Sequence, residues 1–145
     1  RVVLRILEKD KTHINLNDLG FTKDILSSFK KGLSKSNNFH IPLSYDNVET
    51  GWLAFPIVLQ NNLSNSRKSI QIFLEKSGIQ TRTIFTGNIM RQPIAKKFKY
   101  ESHGNFNVSD EITKSGILIG CHNKLEIEDL DVIISKLLEV EKEII

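Results

Sequence analysis

A single cysteine, Cys121, is present, so no disulfide can form within the chain, which fits a reducing compartment. No apolar run approaches the roughly 20 residues that a membrane-spanning helix needs. The opening Arg1-Val2-Val3-Leu4-Arg5 has neither the long apolar stretch nor the cleavage site of a signal peptide. These shortages predict a cytoplasmic protein with no membrane partner. Charge of one sign is also scarce, with 20 basic against 17 acidic side chains and a net +3. A nucleic-acid binder usually gathers its bases on one face or stripe, whereas here they alternate with acids. The densest run, Lys96-Lys97-Phe98-Lys99-Tyr100, reads as a solvated helix end, with a phosphate-contacting patch as the alternative. No nucleic-acid partner is expected; one resting on net charge alone would bind in a salt-sensitive way.

The familiar catalytic spacings are missing too. His13, His40, His103 and His122 show no metal-ligand spacing, and Cys121 and His122 are adjacent. No glycine pattern matches a phosphate loop or a dinucleotide fingerprint, and no Gly-x-Ser-x-Gly elbow supports a hydrolase triad. Cys121 follows an apolar stretch and reads as a small packed residue rather than a nucleophile.

What remains is an ordinary globular composition, 39% hydrophobic and 26% charged over 145 residues. That length fits one domain with a modest core. The first residue is Arg1 rather than Met, which suggests a piece of something longer. Val2, Val3, Ile6 and Leu7 suggest the end of a helix over 1–9, followed by a polar connection over 10–20. A helix over 22–35 puts Ile25, Leu26, Phe29 and Leu33 on one face. The stretch from Ser34 to Thr50, broken by Pro42, reads as loop. Residues 1–50 are thus a helical lead-in and loop, and residues 51–145 a small α/β domain.

Within that domain Trp52 to Leu59 is a buried-strand run. Pro56 predicts an unpaired edge or an irregularity in it. An Asn- and Ser-rich turn should cap a helix over 66–77 with Ile70, Phe73 and Leu74 inward, ended by Gly78. A second strand is expected over Ile79–Phe85, then a Gly87-Asn88 turn and a short helix from Pro93. A short helix over Val108–Lys114 and a third strand over Gly116–Cys121 follow. The last helix, 126–143, carries Ile127, Leu130, Ile134 and Leu137 on one stripe, with acids crowding its first turn. The fold class is α/β: a small three-stranded, mainly antiparallel sheet with helices packed on one face.

The segment with chemical content runs from Gly78 to Pro93, reading GIQTRTIFTGNIMRQP. A strand that ends in Gly-Asn and turns into a helix presents backbone N–H groups and a side-chain amide at one rim. Arg82 and Arg91 are each suited to bidentate contact with a phosphate or carboxylate. A plain surface turn with two solvated arginines fits the same residues.

This segment resembles the pattern GI-x-TR-x-x-F-x-GN-x-x-x-QP of the sugar 3-dehydratases in the DegT/DnrJ/EryC1/StrS superfamily. Trp52 to Pro56 resembles that family's Trp-x-x-Phe-Pro strand, Arg67 the Arg opening its next helix, and Ile119-Gly120-Cys121-His122 the strand before its terminal helix. The likeness covers roughly residues 50–145. It implies the carboxy-terminal small domain of a fold-type-I enzyme that uses pyridoxal phosphate or pyridoxamine phosphate. In such enzymes a preceding large domain binds the cofactor and carries the catalytic base, a lysine in aminotransferases and a histidine in dehydratases. The implied substrate is a nucleotide-linked 4-keto-6-deoxy sugar that loses its C3 hydroxyl, and the implied pathway is lipopolysaccharide deoxysugar synthesis. The implied assembly is a homodimer.

By the same resemblance Phe85 packs near sugar or cofactor, and Arg82, Asn88 and Gln92 offer polar contacts or hold the turn. Gly87 permits the bend, and His122 either touches substrate or caps the following helix. No catalytic, cofactor-binding or metal residue is expected here, and the chain alone should be inert. Phe85 and Gly87-Asn88 stand where aminotransferases of the superfamily show a Tyr and a Pro-Leu-His-like stretch, which favours a dehydratase. A non-catalytic binding or regulatory module that shares only the fold is the alternative of another class.

Overall fold

A computed structural model describes residues 23–43, 52–121 and 125–144. The elements, in order, are α1 (Lys23–Gly32), β1 (Phe39–His40), β2 (Ala54–Leu59), α2 (Arg67–Lys76), β3 (Thr81–Thr83), α3 (Asn107–Ser115), β4 (Gly116–Gly120) and α4 (Ile127–Ile144). Short 3₁₀ turns occupy Asn61–Leu63, Ile89–Arg91 and Pro93–Lys97. The helix end expected over 1–9, the connection over 10–20, the loop residues 44–50 and His122 lie outside the described residues.

Among the described residues the sheet has four strands in the order β1-β2-β4-β3, every neighbouring pair antiparallel. Three strands were expected; the fourth is β1, in a stretch read as loop. Phe39 pairs with Leu59 and His40 with Val58. β1 therefore reaches only the last two residues of β2, and Pro56 lies beyond it, where a missing N–H leaves no ladder bond broken on that side. Across the other side of β2, Pro56 faces Leu118 of β4.

Alternation decides which face is the core. Phe55, Ile57 and Leu59 of β2 and Ile117 and Ile119 of β4 are buried, while Ala54, Pro56, Val58 and Leu118 are half-buried. Against the buried face lie Ile25, Phe29 and Leu33 of α1 with the residue after it, Ile70 and Leu74 of α2, and Leu130, Ile133, Ile134, Leu137 and Val140 of α4. The helical stripes follow the three-and-four spacing expected of amphipathic helices. Phe29 stacks flat on Phe55, ring centroids 4.3 Å apart, and Trp52 tilts against Phe55 at 5.2 Å. Such ring pairs contribute beyond their buried area.

Several local expectations need correction. Ile127 stands in the first turn of α4, 64% exposed, and the stripe begins at Leu130. The apolar period alone cannot tell that nothing covers that turn. Ser66 precedes α2, but its side chain makes no capping bond, because its backbone is not in the extended conformation that aims a cap. The strand expected over Ile79–Phe85 shrinks to Thr81–Thr83. Ile79 closes α2: with Gly78 at φ +80°, the Ile79 N–H donates to Leu74 O (2.9 Å) and the Gly78 N–H to Glu75 O (3.0 Å). This pair of bonds is the Schellman arrangement.

α1 and α4 meet closely. A Cβ on Gly32 would fall 2.6 Å from Ile134 Cγ2, so only glycine allows the approach. Just beyond α1, the Glu141 carboxylate on α4 accepts from Ser36 Oγ and from Asn38 Nδ2, both at 2.7 Å. These bonds tie the segment leading into β1 to the end of the last helix.

Candidate functional site

β3 is the free edge of the sheet opposite β1, and the chain leaves it through a sharp turn. The Gly87 N–H donates to Ile84 O (3.0 Å), which closes the turn, and Thr83 Oγ1 donates to Phe85 O (3.2 Å). Phe85 sits in the left-handed region at φ +45°, and its side chain is 86% exposed. Left-handed backbone costs an L residue about 1–2 kcal/mol. A large aromatic held there without burial is therefore doubly unfavourable as an isolated feature. Gly87 follows at φ +67°, a position glycine tolerates freely.

Beyond the tip the chain is held firmly. The Asn88 N–H donates to Thr113 Oγ1 (2.6 Å), and Asn88 Nδ2 donates to Asp110 Oδ1 (2.7 Å). Asn88 Oδ1 accepts from the Met90 N–H (3.0 Å), capping the 3₁₀ turn that follows. Arg91 reaches the same carboxylate with both ends of its fork, Nε at 3.0 Å from Oδ1 and Nη2 at 2.6 Å from Oδ2. Gln92 Nε2 donates back to Thr86 O (2.8 Å). On the α3 side, Thr113 Oγ1 donates to Ser109 O (2.6 Å), and the Thr113 carbonyl accepts from Arg67 Nη1 at the start of α2.

The electrostatics follow from these contacts. The hydrogen bonds from Arg91 and then from Asn88 hold the Asp110 carboxyl below its ordinary value of 3.8. The same pairing with Asp110 raises the Arg91 guanidinium above its usual range. Cys121 is buried next to the end of β4, and burial pushes its thiol up to about 11, which suppresses the reactive thiolate.

Of the residues singled out in the sequence, Gly87, Asn88 and Gln92 come together in one hydrogen-bonded turn, with Phe85 at its tip. Arg82 lies on β3 opposite Leu118, exposed, and its side chain makes no hydrogen bond or ion pair with another described residue. Arg91 is exposed but paired: its fork holds the Asp110 carboxylate of the same chain. Asp110 and Thr113 were not foreseen. They lie one helical turn apart on α3 and about twenty positions from the turn they hold, and no local pattern joins the two segments. Lys96 and Lys97 end the 3₁₀ turn from Pro93 and are exposed, as are Phe98 and Tyr100 beside them.

Among the described residues no three His, Cys, Asp or Glu side chains gather as a metal site, and no helix is long and apolar enough to cross a membrane. Their buried polar side chains are Thr81, Asn88 and Ser115, partnered by Glu75, Asp110 and the Glu111 carbonyl. No lysine among them is buried. A pyridine cofactor needs an anion cradle for its phosphate and a partner for its ring nitrogen. The described residues do not supply that set.

Comparison with known proteins gives these features a family. The lipopolysaccharide biosynthesis protein RfbH of Salmonella typhimurium is 32% identical over 111 residues, 76% of this chain and 25% of that protein. A GDP-4-keto-6-deoxy-D-mannose 3-dehydratase of Escherichia coli is 25% identical over 93 residues, 63% of this chain and 24% of the enzyme. The chain thus spans about a quarter of the length of the curated relatives it matches. A solved structure of an E. coli GDP-4-keto-6-deoxy-D-mannose-3-dehydratase with bound hydrated PLP superposes with a TM-score of 0.72 at 20% identity. It covers 84% of this chain and 31% of the other, a likeness of fold. Residues 21–138 match the DegT/DnrJ/EryC1/StrS aminotransferase family, and the chain belongs to that family.

Proposed function

We propose that this chain is the small domain of a pyridoxal phosphate- or pyridoxamine phosphate-dependent enzyme acting on nucleotide-linked 4-keto-6-deoxy sugars. The reaction proposed is removal of the C3 hydroxyl, in lipopolysaccharide deoxysugar synthesis. The observation that carries the reading is Phe85: an aromatic ring held in left-handed backbone at a sheet edge, exposed, on a turn fastened from behind. Strained backbone of this kind clusters at functional sites, where surrounding structure over-determines it. The family and the names of the relatives supply the chemistry that such a wall would face.

In this reading Phe85 lies against the sugar or the cofactor ring, and Arg82 offers its fork to the phosphates or hydroxyls of the substrate. Gly87, Asn88 and Gln92 shape the turn that carries Phe85. His122 is a further candidate for substrate contact. The cofactor, which supplies the electron sink for loss of the hydroxyl, is held by a preceding domain, and a homodimer completes the site. No step of bond making or breaking is assigned to the described residues, and this reading takes the 145 residues by themselves to be inert. An aminotransferase of the same family is the second reading, favoured by the family's own description.

The test is made on the full-length gene product purified from its native host. Intact mass, the absorbance spectrum with and without pyridoxamine phosphate, and turnover of a GDP- or CDP-linked 4-keto-6-deoxyhexose are measured. A mass severalfold that of this chain, a bound chromophore and a 3-deoxy product support the dehydratase. Transfer of an amino group from glutamate to C4 gives the aminotransferase instead. A mass equal to this chain, without chromophore or cofactor binding, refutes both and leaves a binding module.

A further inference from the structure

We infer that Asp110 and Thr113 on α3 are positioning residues for Phe85, acting as a clamp that sets where the turn presents its ring. The inference rests on the pocket-wall reading above and adds residues that reading does not contain.

Contacts to two side chains of α3, Thr113 and Asp110, define the clamp. Thr113 Oγ1 accepts from the Asn88 backbone, so it fixes main chain rather than a side chain (2.6 Å). Asp110 binds both Asn88 Nδ2 and the Arg91 fork, and so spans both ends of the 3₁₀ turn Ile89–Arg91. Gly87 is pressed on the same helix: a Cβ there would meet Thr113 Oγ1 at 2.5 Å and Cγ2 at 2.6 Å. Arg67, donating to the Thr113 carbonyl, ties this end of α3 to α2 and so to the core.

The asymmetry across the turn is what gives the clamp a purpose. Residues 88–92 are bonded to α3 or to one another, and Asn88 is 4% exposed. Phe85, two residues earlier, is unsupported by any burial. A ring in left-handed backbone would relax toward an ordinary conformation if the segment after it could slide. Fixing the backbone at Asn88 and the side chain at Arg91 removes that freedom. The arrangement matches a preorganised contact, in which conformational cost is met in folding rather than on binding.

Only a positioning role predicts that loosening the clamp weakens substrate binding without touching the reacting groups. Asp110→Ala and Thr113→Val are made in the full-length gene product. Amide hydrogen exchange is followed over residues 84–92, with β2 and β4 as internal references, and KM and kcat are measured separately. Exchange over 84–92 is expected to rise about tenfold or more while the reference strands stay unchanged. KM for the nucleotide sugar is expected to rise about tenfold with kcat within about threefold. Asp110→Asn, which keeps an oxygen for Asn88, should restore part of both effects. If Asp110→Ala does not fold, Arg91→Gln removes the fork and leaves Asn88 satisfied, and the same readouts apply. Unchanged exchange overturns the clamp, and raised exchange with unchanged KM and kcat overturns the positioning role. Raised exchange in a protein whose wild type neither binds nor turns over nucleotide sugars upholds the clamp and overturns the pocket-wall reading instead.

Discussion

Substituting alanine for Gly87 places two separate penalties on one methyl group. The first is conformational: φ is +67°, and left-handed backbone costs an L residue about 1–2 kcal/mol. The second is steric. The new Cβ would lie 2.5 Å from Thr113 Oγ1, 2.6 Å from Cγ2 and 2.9 Å from Cβ, so either the turn or α3 must move. Overpacking of this kind typically costs about 1–3 kcal/mol. The sum is about 2–5 kcal/mol. Gly78 provides the comparison, since its φ is +80° yet nothing lies within 4 Å of an added Cβ. Gly78→Ala should therefore show the conformational cost alone, and the difference between the two variants isolates the collision. Urea titration followed by the fluorescence of Trp52, the chain's one tryptophan, resolves this difference. With a slope of about 1–3 kcal/mol per molar urea, the two midpoints should differ by about 1 M. Adding Thr113→Ala in the Gly87→Ala background removes the two closest atoms, and the double-mutant cycle should show a favourable coupling. Equal midpoints for Gly78→Ala and Gly87→Ala, or purely additive effects in the cycle, would refute the close packing of the turn on α3.

Phe85→Gly should leave the chain as stable or stabilise it by less than about 1 kcal/mol, because relief of left-handed strain is partly offset by the freer unfolded chain. The same change should raise KM for the nucleotide sugar in the full-length protein; lower stability with unchanged KM would mean the ring is structural. Asp110 is held below its ordinary value, so its contribution to stability is full above about pH 4 and is lost as pH falls through the depressed folded value. The stability difference between wild type and Asp110→Asn should accordingly be largest above about pH 4 and shrink as pH falls below it, and it should weaken in high salt because the pair is exposed. Cys121, with its thiol pushed to about 11, should be only about 0.1% thiolate at pH 8 and should react with iodoacetamide far more slowly than an unfolded control. Fast labelling of the folded protein would contradict its burial.

The sequence was most legible where periodicity had room to repeat. α2 and α4 span 10 and 18 residues, long enough for Ile70, Leu74, Leu130, Ile134 and Leu137 to declare a face. β1 spans only two residues, and Phe39-His40 has no period to read. It becomes a strand because Leu59 and Val58 offer it a sheet edge, which is a tertiary fact. The early end of β3 has a similar origin. Thr81 to Phe85 carries strand-forming residues, yet Phe85 is left-handed where the Gly87 N–H closes back on Ile84 and Asn88 is fastened to α3. The turn residues Gly87, Asn88 and Gln92 stand in the sequence as a motif, and the structure places them in one turn. Asp110 and Thr113 were invisible, since their partners lie in a segment that reaches them only after folding.

The bonds from Ser36 and Asn38 to Glu141 span 105 and 103 residues, and α1 rests on α4 through Gly32 and Ile134. During synthesis α1 therefore emerges long before the surface it packs on. At about 5–20 residues per second the interval is on the order of 5–20 s. Throughout it Gly32 lacks Ile134 and the segment before β1 lacks the Glu141 carboxylate, so β1 is held at the sheet edge by β2 alone. The closing of this domain is therefore timed by its last helix, and a ribosome that pauses before α4 leaves the side of α1 that α4 covers open to any chaperone that is waiting.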